Sequence, residues 1–377
     1  MTRTFRFSLL LLGLLAAGCV TGPQPISGPV RGIWVTRFDY STADDVRRIM
    51  ENCEQGGFNT VLFQVRGNGT AFYESDLEPW ADELGGRHPG FDPLALACEE
   101  AHMRGLQLHA WVNVMPSWRD SNPPDNPDQL YLARPEWHWY DQEGRRQPLA
   151  NGFYTSLNPC LPEVRSYLVD VFAEIVARYD IDGLHLDYIR FVDDLVEKGR
   201  DYPMDARTLA LFHAATGCQP DQDPELWKRW RAGQVTALVA AIREKVRDLR
   251  PGLILSAAVG SEPTGPTGQH LRDSSGWARA GLLDALYPMN YTPDPELFAR
   301  RTEAWSLEPT NSRIITGIMV RPDDRTLEAT LAEVRASLGR TPHYTLFAYS
   351  YLFGPDGRAL RDPLLSALRS LQPAPIP

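Results

Sequence analysis

Gly183-Leu184-His185-Leu186-Asp187-Tyr188-Ile189-Arg190-Phe191, preceded by Asp182, is the stretch that decides the reading of this 377-residue chain. Its alternation is that of a β-strand, with His185 and Asp187 on one face and Leu184 and Leu186 on the other. Two polar side chains on the inward face of a barrel strand are costly to bury unless they have work to do. Arg190 could instead neutralise Asp187 in a purely structural pair. Asp182 starts the strand, at the end where structural duty is the default.

Outward from this stretch, short runs rich in Val, Ile, Leu and aromatics recur along the chain. They predict strands over 32–37, 60–66, 107–114, 183–191, 254–259, 285–291, 314–319 and 344–351. Helical patterns lie between them, at 44–55, 93–104, 163–179, 224–250, 272–280, 295–305, 325–338 and 362–370. Asp-Pro recurs at Asp92-Pro93, Asp223-Pro224, Asp294-Pro295 and Asp362-Pro363, each reading as an N-cap followed by proline in the first turn. Gly56, Gly105, Gly252 and Gly339 fall where helices should stop. Eightfold strand-helix alternation predicts an α/β fold of the (β/α)₈ TIM-barrel type. No Gly-x-Gly-x-x-Gly follows the first strand, so a dinucleotide-binding sheet loses its main support. The connections after the third and fourth strands, 115–162 and 192–223, are long and would rise from the C-terminal face, where active sites of barrels lie. The first of them holds Trp118, Trp137, Trp139, Tyr140 and Tyr154, which could stack on sugar rings or simply pack the loop down.

Arg3 and Arg6, the apolar run Phe7–Ala17 and Ala16-Ala17-Gly18-Cys19 read as a lipoprotein signal peptide over 1–18, with Cys19 as the lipidated residue. An apolar run of about 11 residues is too short to span a bilayer, which needs roughly 20. Residues 19–30 read as a tether and 31–377 as the barrel, with no composition break for a second domain. The expected home is the cell envelope, on the outer membrane facing the periplasm in a Gram-negative host. Loss of the leader leaves 36 basic against 48 acidic residues, which argues against nucleic acid as a partner. Cys53, Cys98, Cys160 and Cys218 either pair in an oxidising compartment or stay as buried thiols, and their spacings fit no zinc motif.

Polar and aromatic residues gather at several predicted strand ends. His109, Trp111 and Asn113 share one face of the third strand. The first strand ends in Arg37-Phe38-Asp39-Tyr40, the second in Gln64-Val65-Arg66, the sixth in Met289-Asn290-Tyr291 and the eighth in Tyr349-Ser350-Tyr351. Asp39, Trp111, Tyr188, Asn290, Tyr291 and Tyr349 are accordingly expected to contact a substrate. A carboxylate at Asp187 could serve as nucleophile, base or stabiliser of an oxocarbenium-like charge.

These residues resemble the bacterial glycosyl-hydrolase-like lipoproteins of the ten-type, TIM-barrel proteins related to the α-galactosidase superfamily. Some members of that family cut peptidoglycan glycan strands stripped of stem peptides. The resemblance is carried by residues 31–35 (Arg-Gly-Ile-Trp-Val), 63–66 (Phe-Gln-Val-Arg), 78–80 (Glu-Pro-Trp), 90–94 and 100–106, 109–113 (His-Ala-Trp-Val-Asn) and 182–190. It implies that Asp187 is the leading catalytic carboxylate and that Arg66, His109, Asn113, His185 and Arg190 line the site. It also implies a polysaccharide substrate, with the peptidoglycan glycan backbone favoured; no cofactor is expected, and no metal, since the first strand lacks the early His-x-His of many metal-dependent barrels.

A glycosidase needs a second carboxyl group. Glu262, Asp39, Glu74 and Asp294 all follow predicted strands, and Glu262 is favoured because the fifth strand neighbours the fourth. Substrate-assisted chitinases carry Asp-x-x-Asp-x-Asp-x-Glu on their fourth strand, but Ile189 stands at the final position here, so that mechanism is disfavoured. Two other classes remain open: a non-catalytic glycan-binding envelope lipoprotein, and a metal-dependent hydrolase using His109, His185 and Asp187 as ligands.

Overall fold

The computed structural model describes residues 28–191, 199–321 and 326–371. The predicted leader, Cys19 and the tether up to residue 27 lie outside them, as does part of the fourth connection. Eight parallel strands form the central sheet: β1 (Arg31–Val35), β2 (Thr60–Arg66), β3 (Gln107–Asn113), β4 (Gly183–Asp187), β5 (Ile254–Val259), β6 (Ala285–Pro288), β7 (Thr316–Met319) and β8 (Tyr344–Phe347). They pair in the order β7-β8-β1-β2-β3-β4-β5-β6. A two-residue segment, Arg313–Ile314, pairs with β6, and a bridge from Met289 to Gly317 joins β6 to β7, so the sheet closes on itself. This is the TIM barrel that the alternation predicts.

Helices α1 (Ala43–Gln55), α2 (Pro93–Met103), α3 (Pro162–Arg178), α4 (Pro224–Leu249), α5 (Ser274–Arg279), α6 (Pro295–Ser306), α7 (Leu327–Leu338) and α8 (Arg358–Ser370) follow the strands in turn. Outward-facing Leu184 and Leu186 of β4 and Val61, Phe63 and Val65 of β2 are wholly buried in the layer between sheet and helices. Each such side chain contributes roughly 1.5–3 kcal/mol. A smaller cluster that includes Trp34, Leu62, Trp111 and Tyr287 fills the barrel's inside.

Three of the four Asp-Pro pairs behave as predicted. Asp92 accepts from the amides of Leu94 and Ala95, Asp223 from Leu226, and Asp294 from Glu296 and Leu297. The fourth does not cap: α8 begins at Arg358, Pro363 lies inside it, and Asp362 pairs with Arg361 instead. Strand ends also differ from expectation. β4 stops at Asp187 because Tyr188 adopts φ 49°, outside the β region. The eighth strand ends at Phe347, and a short helix, Tyr349–Phe353, follows. Within the fourth connection, Ala206–Thr216 forms a helix capped by Asp205, a feature the sequence pattern did not suggest. Cys53, Cys98 and Cys160 are buried thiols and Cys218 is half-buried; none of the four is paired.

Arg66 is the main correction to the predicted site. Gln64 pairs with Trp111, but a register shift follows and Arg66 pairs with Val112, a residue of the outer face. The bulge thus turns Arg66 away from the barrel's mouth and into the sheet-helix layer. There its guanidinium meets Glu78 through Nη2 at 2.7 Å and Nε at 2.8 Å, with both side chains fully buried. It also donates to the carbonyls of Asn113 and Val114, tying β2 to the end of β3. Removing one member of such a pair strands the other charge in a low-dielectric interior. We expect Glu78→Ala to cost about 3–5 kcal/mol in chemical denaturation. A loss below about 1 kcal/mol would show that the pair behaves like a solvated surface bridge.

Candidate active site

A cavity of about 540 Å³ opens at the C-terminal ends of the strands, and Asp187 and Asp39 are the carboxylic acids on its wall among the described residues. Asp187 ends β4. Its Oδ1 accepts from the Tyr188 amide at 2.6 Å and from Arg190 Nη1 at 3.3 Å. The positive φ of Tyr188 is strained for a bulky residue. It bends the chain so that Arg190 folds back, its guanidinium 4.1 Å above the Tyr188 ring. The Arg190–Asp187 pair weighed as structural therefore sits on the cavity itself.

Asp39 approaches from the loop after β1. Its Oδ2 accepts from the amide of Thr36 at 2.7 Å and from its hydroxyl at 2.9 Å. Burial pushes its carboxyl above the usual range, although Thr36 and Ser350 hydrogen bonds pull partly the other way. The two acids thus occupy different settings, one beside a guanidinium and one with its charge penalised by burial.

Between them lies a polar base. Gln64 Nε2 donates to Asn113 Oδ1 at 3.2 Å, Gln64 Oε1 accepts from the Arg37 amide at 3.1 Å, and Asn113 Nδ2 donates to the Gly67 carbonyl at 3.0 Å. Trp111 borders the same cavity, and its buried indole N–H has no partner within the protein. Tyr291 lines the opposite wall; burial, with the charge of Asp187 added, pushes its phenol well above the usual range, so it stays a hydrogen-bond donor.

The structure thus brings Asp39, Trp111, Asn113, Asp187, Tyr188, Arg190 and Tyr291 to one cavity. The other expected residues lie elsewhere. Glu262 is exposed and held by Arg301 Nε at 3.0 Å. Glu74 pairs at the surface with His88, and Asp294 is an N-cap. His185 lies wholly buried below the cavity, accepting from Trp34 Nε1 at 3.2 Å while its Nδ1 meets Ser256 Oγ at 2.9 Å. Burial drives its pKa well below the usual value, so it is neutral. His109 is at the other end of the barrel, packed on Gly183, where a Cβ would meet its ring at 2.7 Å. It lines a separate cavity of about 250 Å³ with Thr60, Tyr287 and Arg313, and burial lowers its pKa to about 4. Asn290 fastens β6 to α6 through the Phe298 carbonyl at 3.0 Å and Thr302 at 3.2 Å. Tyr349 sits on the short helix after β8, where its hydroxyl accepts from Asn52 Nδ2 of α1 at 2.7 Å.

His109, His185 and Asp187 sit at three depths along the barrel, so they do not converge as metal ligands. Among the described residues no three His, Cys, Asp or Glu side chains cluster for that purpose. Of the loop aromatics expected at the rim, only Tyr154 reaches the cavity. Trp118 and Trp139 are buried, donating to the carbonyls of Asn122 and Leu157.

Several cavity residues escaped the sequence reading. Arg37 is buried, with Nε 2.7 Å from Glu83 and Nη1 3.1 Å from the Tyr154 hydroxyl, and these partners outlast the burial penalty to raise its pKa. Phe38, Arg119 and Ser350 complete the mouth. Behind it, Arg272 is buried against Gly260. Desolvation, with Arg190's charge added, lowers it to about 9, while Asp187 acts in the opposite sense. The Arg-Phe-Asp-Tyr run at the end of β1 was the available signal for the first of these; Arg119 comes from the start of a long insertion and carries no local pattern, whereas Tyr154, near its other end, stood among the expected loop aromatics.

The chain is 26% identical over 346 residues to the glycosyl hydrolase DigH of Escherichia coli, an alignment spanning 78% of this chain and 74% of that protein. In fold it is similar to the PgaB (BpsB) glycoside hydrolase domain of Bordetella bronchiseptica, at TM-score 0.65 and 16% identity over 89% of this chain and 99% of that one. It is also similar to α-L-fucosidase isoenzyme 2 of Paenibacillus thiaminolyticus, at TM-score 0.63 and 15% identity over 90% of this chain and 49% of that one. Residues 29–323 match the model of the glycosyl hydrolase-like 10 family, and the chain belongs to that family.

Proposed function

We propose that this protein is a glycoside hydrolase that cuts the glycan backbone of peptidoglycan, held at the cell envelope by lipid on Cys19. The observation that carries the reading is the pair of carboxylic acids on one cavity wall, set in contrasting environments. Hydrolysis of a glycosidic bond needs one carboxyl group that gives a proton to the leaving oxygen and another that meets positive charge at the anomeric carbon. Asp39 takes the first role, since burial favours its protonated form. Asp187 takes the second, with the Tyr188 amide and Arg190 fixing the direction of its carboxylate. The unpartnered Trp111 N–H and the Tyr291 hydroxyl supply donors for sugar hydroxyl or acetamido groups.

The choice of polymer rests on the family, on its glycosyl hydrolase relatives and on an N-terminus that reads as that of an exported lipoprotein. In a Gram-negative host the lipid would hold the protein on the outer membrane, facing the periplasm.

With peptidoglycan glycan strands free of stem peptides, wild-type protein is expected to release new reducing ends and Asp187→Asn to lose more than about a hundredfold of that rate. Equal release by both proteins would remove Asp187 from the chemistry, and no release from any glycan would overturn the hydrolase reading.

Asp39→Asn is expected to lose about 10²–10⁴-fold in kcat/KM. Its pH profile separates a proton donor from a mere contact. A carboxyl raised above the usual 3.8 stays protonated to higher pH, so wild-type activity should fall as pH rises through that raised value. In Asp39→Asn this alkaline fall should vanish from the residual activity. An unchanged profile would assign the acid role elsewhere.

A further inference from the structure

The lower cavity, of about 250 Å³, is separated from the upper one by the packed rings of Trp34, His185 and Tyr287 and takes no part in the proposed hydrolysis. Residues at this end of a barrel ordinarily serve stability. The polar groups here work against it. His109 is 2% exposed, and neither of its ring nitrogens has a hydrogen-bond partner among the described residues. A buried donor or acceptor left unmade is costly, and an apolar side chain would fill the same place without that cost. Gly183, opposite His109 in the β3–β4 ladder, makes room for the ring, since a Cβ there would meet it at 2.7 Å.

Arg313 faces the same cavity from the segment that pairs with β6. Its guanidinium forms no ion pair and no side-chain hydrogen bond among the described residues, although its charge acts on the Tyr287 phenol. The Tyr287 hydroxyl likewise has no hydrogen-bond partner among them. Asp284, the acid on this wall, is already committed: Arg243 Nη2 donates to it at 2.7 Å and the Leu255 amide at 2.8 Å. The rest of the lining is apolar and includes Val30, Leu253, Ala285 and Ile315. Pro251 and Gly252 are exposed and Arg313 is half-buried, so the cavity opens to solvent at the turn after α4.

These groups specify their counterpart. Arg313 calls for an anion, and its planar fork suits a carboxylate. Burial keeps His109 neutral, so one ring nitrogen donates and the other accepts. A carboxylate alone would satisfy only the donor, whereas a hydroxyl on the carbon beside it also gives the second nitrogen a hydrogen to accept. The apolar walls take a hydrocarbon body, and the volume is below the roughly 300–1,000 Å³ of pockets for drug-sized ligands, so the occupant is small. We infer that the lower cavity is a binding site for a small α-hydroxycarboxylate with an apolar substituent, distinct from the glycan site above it.

Mandelate is the probe, because it joins the acid, the neighbouring hydroxyl and an apolar ring in one small molecule. Calorimetric titration of the wild-type protein is expected to show one site with a Kd of about 0.1 mM. Phenylacetate, which lacks the hydroxyl, and mandelamide, which lacks the charge, should each bind about tenfold more weakly. Arg313→Gln should weaken mandelate about tenfold and leave mandelamide unchanged. His109→Leu should erase the preference for mandelate over phenylacetate, while its melting temperature without ligand stays level or rises, since an unmade polar group has left the interior. Should His109→Leu not fold, Arg313→Gln at the entrance decides the matter. A cavity that takes up only water would give no saturable binding of mandelate. Equal Kd values for the three probes, or for wild type and Arg313→Gln, would place any binding elsewhere, and each of these outcomes overturns the inference.

Discussion

Trp34 closes the inside of the barrel at mid-height, and the hydrogen bond from its indole to His185 is the contact on which the arrangement depends. An indole nitrogen can only donate, so His185 must present a bare nitrogen to it and stay neutral. Burial keeps it so, and Ser256 accepts from the ring's other nitrogen. Tyr287 meets both rings edge-on, at 5.8 Å from Trp34 and 4.8 Å from His185, completing a packed layer. The layer divides the interior into an upper cavity that holds Asp187 and a lower one bordered by His109. Function then follows from depth. A residue two positions along a strand moves about 6.6 Å toward the mouth, which is the difference between His185 in the plug and Asp187 above it.

That distinction explains what could be read from the sequence and what could not. Strand-helix alternation and the Asp-Pro caps specify elements within a few residues, because both are local signals with a mechanism. Alternation also gives the right face for His109, Trp111, Asn113, His185 and Asp187. It is silent about height in the barrel, which depends on the pairing Trp111–His185 and Asn113–Asp187 between strands far apart in sequence. Arg66 fails for a sharper reason. One bulge inverts its face, and nothing in Gln64-Val65-Arg66 announces it. Tyr349 fails because its strand ends at Phe347, four residues earlier than the apolar pattern suggests.

The second carboxylate illustrates the same limit from the other direction. Glu262 was favoured because β5 neighbours β4, yet the loop after β5 turns it to the surface and Arg301. Asp39, on the far side of the ring, reaches the cavity because the turn after β1 is tight, with Asp39 folding back onto Thr36. Adjacency of strands is a weaker guide than the length and curl of the loops above them. The long insertion after β3 shows this again: Trp118 and Trp139 are buried away from the cavity, and the insertion contributes Arg119 from its start and Gly152 and Tyr154 from near its end.

Charge gives the cavity its character within an acidic chain. The protein carries a net −10, which at long range opposes an anionic polymer. Screening confines that repulsion to about a Debye length, roughly 8 Å at physiological salt, so close-range groups decide whether an anionic sugar is tolerated. On the wall, Arg37 and Arg190 are balanced by Glu83 and Asp187, leaving Arg119 against the half-buried Asp39. With Asp39 protonated the balance tips to one net positive charge, and with Asp39 ionised it returns to neutral.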